Sequence, residues 1–131
     1  MNTDDSRRIV LEFCRHLSDR NSEAMLAMMT DDATWWVVGR PDRIPFAGTK
    51  SFRDTLDASN EFFRLMDSFS FTVIGVTAED ERVAIEAVSE ARQGDKPYTN
   101  KYMIQFQLKG AKIQSLREYM DLSEVAAFME S

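Results

Sequence analysis

The chain has 131 residues, 44% of them hydrophobic, which is enough to fill one core, and residues 1–131 read as a single domain. Its 16 Lys plus Arg stand against 22 Asp plus Glu, a formal net charge of -6; an acidic chain without a basic cluster repels nucleic acid and anionic membrane, so neither is expected as a partner. Cys14 and His16 are each the sole residue of their kind, which excludes an intrachain disulfide, a zinc site built on cysteine pairs and a multi-histidine centre, so no metal and no cofactor is expected.

The opening "MNTDDSRR" is polar and offers no hydrophobic signal segment, and no apolar run approaches the roughly 20 residues of a membrane helix. The expected compartment is the cytoplasm. "DDSRRIVLEFCRHLSDR" places Ile9, Val10, Phe13, Cys14 and Leu17 on one helical stripe, with His16 at its edge. "NSEAMLAMMTDD" predicts a second helix capped by Asn21, with Met25, Leu26, Met28 and Met29 inward. "ATWWVV" predicts a strand. The loop "GRPDRIPFAG" follows, and its Arg40, Asp42 and Arg43 read chiefly as solvated charges. Thr49 is the expected cap of a third helix, "KSFRDTLDASNEFFRLM", whose stripe is Phe52, Leu56, Phe63 and Met66.

The pattern then turns to period two. "SFSFTVIGVT", "ERVAIEAVSEARQ", "PYTNKYMIQFQLK" and "KIQSLREYM" predict four strands joined by tight turns, and "DLSEVAAFMES" a short helix with Leu122, Val125, Ala126 and Met129 inward. Helices followed by an antiparallel meander predict an α+β fold with helices on one face of the sheet. On the third of these strands the even positions, Tyr98 to Leu108, should meet the helices. On the fourth, the odd positions Arg117, Tyr119 and Asp121 are expected to face inward, leaving Leu116 and Met120 outside with Met103 and Gln105.

This layout, with "TDDATWW", "PFAG", "YTNKYMIQF" and "LREYMD" in that order, resembles the SnoaL-like branch of the nuclear-transport-factor-like superfamily over nearly the whole chain. The resemblance implies a cone-shaped α+β barrel, a strongly curved sheet wrapped around the helices with a pocket inside. It also implies a homodimer through the outer sheet face. Ketosteroid isomerases, polyketide cyclases, limonene epoxide hydrolases and many binding domains share this fold, so fold does not settle function. By alignment, the isomerase tyrosine, base and protonated acid fall at Phe13, Val37 and Tyr102. The epoxide hydrolase aspartate matches Asp121, but its companions fall at Ala87, Ser89, Trp36 and Val38. Neither standard site is complete.

The sequence therefore points to a protein that takes a small hydrophobic molecule bearing one or two oxygens. Two readings follow: cofactor-free proton transfer of the isomerase, cyclase or dehydratase type, or a non-catalytic binding or dimerisation module. In the first, Asp121 is the candidate acid or base, and Tyr102 and Asn100 polarise a carbonyl; Trp36, Tyr98, Tyr119, Arg117 and Phe13 are the candidate ligand contacts. Asp121 has a second reading, because "DLSE" spaces it as the cap of the final helix.

Overall fold

The computed structural model describes residues 2–130. Helix α1 (Thr3–Ser18) is capped by Asn2, whose side chain accepts from the Asp5 N–H at 2.8 Å. Its buried face is Ile9, Val10, Phe13, Cys14 and Leu17, the stripe expected from the sequence, together with Ser6. Asn21 caps α2, but that helix is only Ser22–Ala27. The residues from Met29 onward belong instead to β1 (Met29–Val37), where Met29 pairs with Ile113. Three β-branched residues, Thr30, Thr34 and Val37, and a tandem Trp in that stretch favour extended backbone over helix continuation.

A further strand, β2 (Gly48–Ser51), pairs antiparallel with β1 along the sheet edge and takes Thr49, the expected cap, into the ladder. Ser51 caps α3 (Phe52–Phe63) instead, accepting from the Asp54 N–H at 3.1 Å. Strands β3 (Ser68–Glu79), β4 (Arg82–Gln93), β5 (Lys96–Lys109) and β6 (Lys112–Met120) form the antiparallel meander, and α4 (Leu122–Glu130) ends the described chain. The sheet order is β2-β1-β6-β5-β4-β3, with β1 and β6 parallel.

The ladder breaks between Val73 and Gly75 in β3, between Met29 and Thr34 in β1, and between Ile113 and Ser115 in β6. Each break adds local twist and bend, which curls the sheet around α1 and α3 into the expected cone. One core joins Phe13, Val10, Leu56, Phe106 and Ile85; a smaller apolar cluster of Ala91, Tyr98, Val125 and Phe128 lies under α4. The inward face of α4 is thus Val125 and Phe128, whereas Met129 is 66% exposed and Ala126 is exposed.

The break in β6 decides the site. Leu108 pairs with Ile113 and Gln107 with Ser115, so Gln114 is an extra residue. Ile113 and Leu116 are then both buried although they are three apart. Beyond the bulge the even positions face in, and the expectation for the odd face is corrected: Arg117, Tyr119 and Asp121 are exposed, while Leu116 and Glu118 are buried and Met120 is partly so. The tandem Trp is corrected in the same way. Trp35 lies inside with Ala33 and Val37, and Trp36 lies on the other face with the polar Thr34.

Candidate functional site

A cavity of about 90 Å³ opens between α3 and the concave sheet. Phe46, Phe62, Phe63, Met120 and Val125 make it apolar, Ala58, Ser59 and Thr55 of α3 close one side, and Trp35, Tyr98, Tyr102 and Glu118 supply polar atoms from the sheet. At the roughly 30 Å³ that a water occupies in the liquid, the space equals about three waters. A second chamber of about 40 Å³ adjoins it. The two share Trp35, Ser59, Phe63, Tyr102 and Glu118, and Arg20 lines the second.

Among the described residues, Glu118 is the only carboxylate lining either chamber. The parallel register of β1 and β6 sets Val37 beside it, and its backbone carbonyl accepts from the Val38 N–H at 3.0 Å. Its Oε1 accepts from Trp35 Nε1–H at 2.9 Å. Burial drives its carboxyl up from an ordinary 4.5 to about 7, against the Trp35 hydrogen bond and the Arg20 charge, both of which favour the anion. A carboxyl titrating there carries or releases a proton near neutrality, which suits acid–base work.

Arg20 sits in the turn after α1 with φ 54, a left-handed conformation that non-glycine residues seldom adopt. Its Nη2 donates to Ser59 Oγ at 3.1 Å and to Asn60 Oδ1, both on α3. Its guanidinium lies 4.9 Å from the Phe63 ring centre and 5.7 Å from that of Phe69. Burial lowers its pKa, with Glu118 acting in the opposite direction, yet an arginine stays charged.

The inward face of β5 carries a chain of polar groups. Tyr102 Oη lies 2.8 Å from Ser89 Oγ, and Asn100 Nδ2 donates to Tyr98 Oη at 2.7 Å. Burial raises the pKa of both tyrosines, so they remain un-ionised donors at neutral pH. Asn100 is engaged throughout: Nδ2 also donates to the Asp121 carbonyl at 3.1 Å, and Oδ1 accepts from the N–H groups of Lys101 and Asp121. It ties β5 to the corner where β6 becomes α4, and it does not line either chamber.

The expected site residues are thus divided. Tyr98 and Tyr102 line the cavity. Asp121 lies outside it as the cap of α4, with Oδ1 accepting from the Ser123 N–H at 2.9 Å and from the Ser123 hydroxyl; these bonds hold its carboxyl below the usual range. Trp36, Arg117 and Tyr119 form one cluster on the outer sheet face: the Arg117 guanidinium is 4.2 Å from the Trp36 ring centre, and the Tyr119 ring is 5.0 Å from it. Phe13 is core, packed edge-on to Phe52 and Phe106 with 0% exposure. Cys14 is buried, and its thiol is pushed up to about 12, which makes it unreactive.

The cap assignment has a direct check. Asp121→Ala should lower the thermal midpoint, while Asp121→Asn, which caps as well, should melt near wild type. Both variants should bind cavity ligands unchanged, as read by Trp35 fluorescence.

Sequence reasoning missed Glu118 and Arg20. The signal for Glu118 was the odd spacing of Ile113 and Leu116, since two apolar residues three apart in a strand cannot share a face without a bulge. "SDRNSE" reads as a solvated turn, and nothing in it marks Arg20 as inward.

Comparison with known proteins bears on the fold and the family. Over 118 residues the chain is 29% identical to UPF0523 protein B of Dictyostelium discoideum, covering 86% of this chain and 72% of that protein. Over 98 residues it is 31% identical to UPF0523 protein C of the same organism, spanning 63% of that protein's length. Among solved structures, PrhC from Penicillium brasilianum superposes with a TM-score of 0.86 at 17% identity, over 99% of this chain and 89% of that one. TerC, co-crystallised with polyporic acid, gives 0.82 at 15% over 97% and 99%. An LEH-like epoxide hydrolase of M. tuberculosis gives 0.76 at 17% over 98% and 91%. At these identities the likeness is one of fold, the cone-shaped sheet shared with NTF2-like proteins. The SnoaL-like domain model matches residues 10–116, most of the chain, and the protein belongs to the SnoaL-like family.

Proposed function

We propose that the protein takes a small, largely apolar, oxygenated molecule into the aromatic cavity and moves a proton on it with Glu118, as isomerases, cyclases and dehydratases do without a cofactor. The observation that carries this reading is a carboxyl on the cavity floor held near pKa 7 by burial. It supports Glu118 rather than Asp121 as the acid–base group, because Asp121 is exposed and its carboxylate is committed to the α4 cap. Tyr102 and Tyr98 sit where un-ionised hydroxyls can donate to a carbonyl oxygen as charge develops on it. Asn100 holds Tyr98 and is a positioning residue in this scheme.

The test uses 2-indanone, a small apolar ketone, in heavy water at neutral pH, with exchange of its α-protons followed by proton NMR. Wild type is expected to accelerate exchange over buffer, and Glu118→Gln to remove about 10²–10⁴-fold of that rate. Binding of the ketone with exchange no faster than in buffer would favour the non-catalytic binding reading instead. The homodimer stays a proposal, resting on Trp36, Met103 and Tyr119 of the outer face; Leu116 and Met120 leave that set, being turned to the core and the cavity.

A further inference from the structure

The inner chamber has a charge arrangement that the proton-transfer reading does not use. Arg20 and Glu118 both line it, yet they form no ion pair within 4.0 Å. Only Nη2 of Arg20 is bonded; its Nε and Nη1 hydrogens meet no acceptor among the described residues. A half-buried guanidinium that lines a void and has donors to spare favours an oxygen anion. The void is about 40 Å³, space for a carboxylate-sized group. Phe63 and Phe69 cover the cation and Ser59 and Asn60 fix its plane, so it is held in place before a ligand arrives.

We propose that this chamber binds an acidic oxygen of the ligand: a carboxylate or enolate accepts from Arg20 on one side and from the protonated Glu118 carboxyl on the other, while the ligand's ring lies in the aromatic cavity. The ligand class is then a small cyclic or aromatic acid. This rests on the cavity being the ligand site, as proposed above, and narrows what enters it. Atoms balance simply, since no bond to carbon changes: the anion gains a hydrogen bond from the Glu118 O–H. An ionised Glu118 repels the anion, so binding weakens as Glu118 loses its proton. The charged or titratable groups facing Glu118 are Arg20 from the turn after α1 and Tyr98 and Tyr102 from β5; β1 presents Trp35, and α3 presents Thr55 and Ser59.

The probes are benzoate and its neutral near-isostere benzamide, titrated into the full chain and read by Trp fluorescence or amide NMR shifts. At about pH 6, wild type is expected to bind benzoate about ten-fold tighter than benzamide, the effect of one charge-assisted bond pair. At about pH 8 that preference should shrink in wild type and persist in Glu118→Gln, whose side chain donates without titrating. Arg20→Gln should erase the preference, weakening benzoate far more than benzamide, whose neutral carbonyl gains less from the cation, and Arg20→Lys should keep part of it. Because the wild-type preference needs no variant, a misfolded Arg20 mutant leaves the proposal open to refutation. Benzamide binding as tightly as benzoate at pH 6 overturns the acidic-ligand assignment while leaving the cavity reading standing. Failure of both probes to bind overturns the two together.

Discussion

Replacing Glu118 by glutamine should raise stability above neutral pH and remove most of the protein's loss of stability between about pH 4.5 and 7. In the unfolded chain the Glu118 carboxyl releases its proton near 4.5, and in the folded chain near 7. Between these values the folded state binds more protons than the unfolded state, so stability falls as pH rises across that window and levels off above it. The separation corresponds to about 3 kcal/mol of strain from the buried anion. Glutamine keeps a carbonyl to accept from Trp35 Nε1–H and carries no charge to desolvate. Urea unfolding of both proteins at about pH 5 and pH 8 reads the effect: similar values at the lower pH, and the variant ahead by about 3 kcal/mol at the higher one. Equal slopes in the two proteins would place the Glu118 titration elsewhere. Stability gained where activity is lost is the usual trade at a functional carboxyl.

The second large effect belongs to Phe13. Truncation to alanine should cost about 3–5 kcal/mol, a large share of the stability of a domain this size, because the ring is fully enclosed and its loss leaves a cavity in the core. It packs edge-on to Phe52 at 6.0 Å and to Phe106 at 5.7 Å between ring centres, joining α1 to α3 and to β5. It touches neither chamber, so Phe13→Ala at a temperature where it remains folded should bind benzamide with wild-type affinity. Urea unfolding and a binding titration on the same variant separate the two roles. A large loss of affinity with little loss of stability would return Phe13 to the ligand site, where alignment with ketosteroid isomerases had put it.

Much of the fold is legible in the sequence because the local rules agree with one another. Val83, Ile85, Ala87, Ser89 and Ala91 alternate along β4 and all are buried, and the even residues of β5 follow suit. The α1 stripe has helical spacing and lands inward in full. Trouble comes where a strand departs from period two or where two residues compete for one face. Strict alternation from Ile113 carries Arg117, Tyr119 and Asp121 inside; one extra residue carries Glu118 there instead, and that is the difference between a capped helix and a titrating cavity. Trp35 and Trp36 are chemically equal, and only Thr34 on one side and Ala33 on the other distinguish their faces. Arg20 could not be found by pattern, since its environment comes from α3 and β3, about 40 and 50 residues away in the chain. The cavity tyrosines were legible because their alternation on β5 is unbroken.

Gln114 carries one more consequence. Because it stands as the surplus residue against Gln107, β6 has two segments that keep independent register: Ile113 with Leu108, and Ser115 through Met120 with the cavity half of β5. Its side chain reaches only Asp32, at 3.5 Å on the surface. Removing it would straighten the strand and leave both segments facing as they do now. Position 114 is therefore a point at which chain length can vary by one residue among descendants of this sequence without any change in the chemistry that the cavity contains.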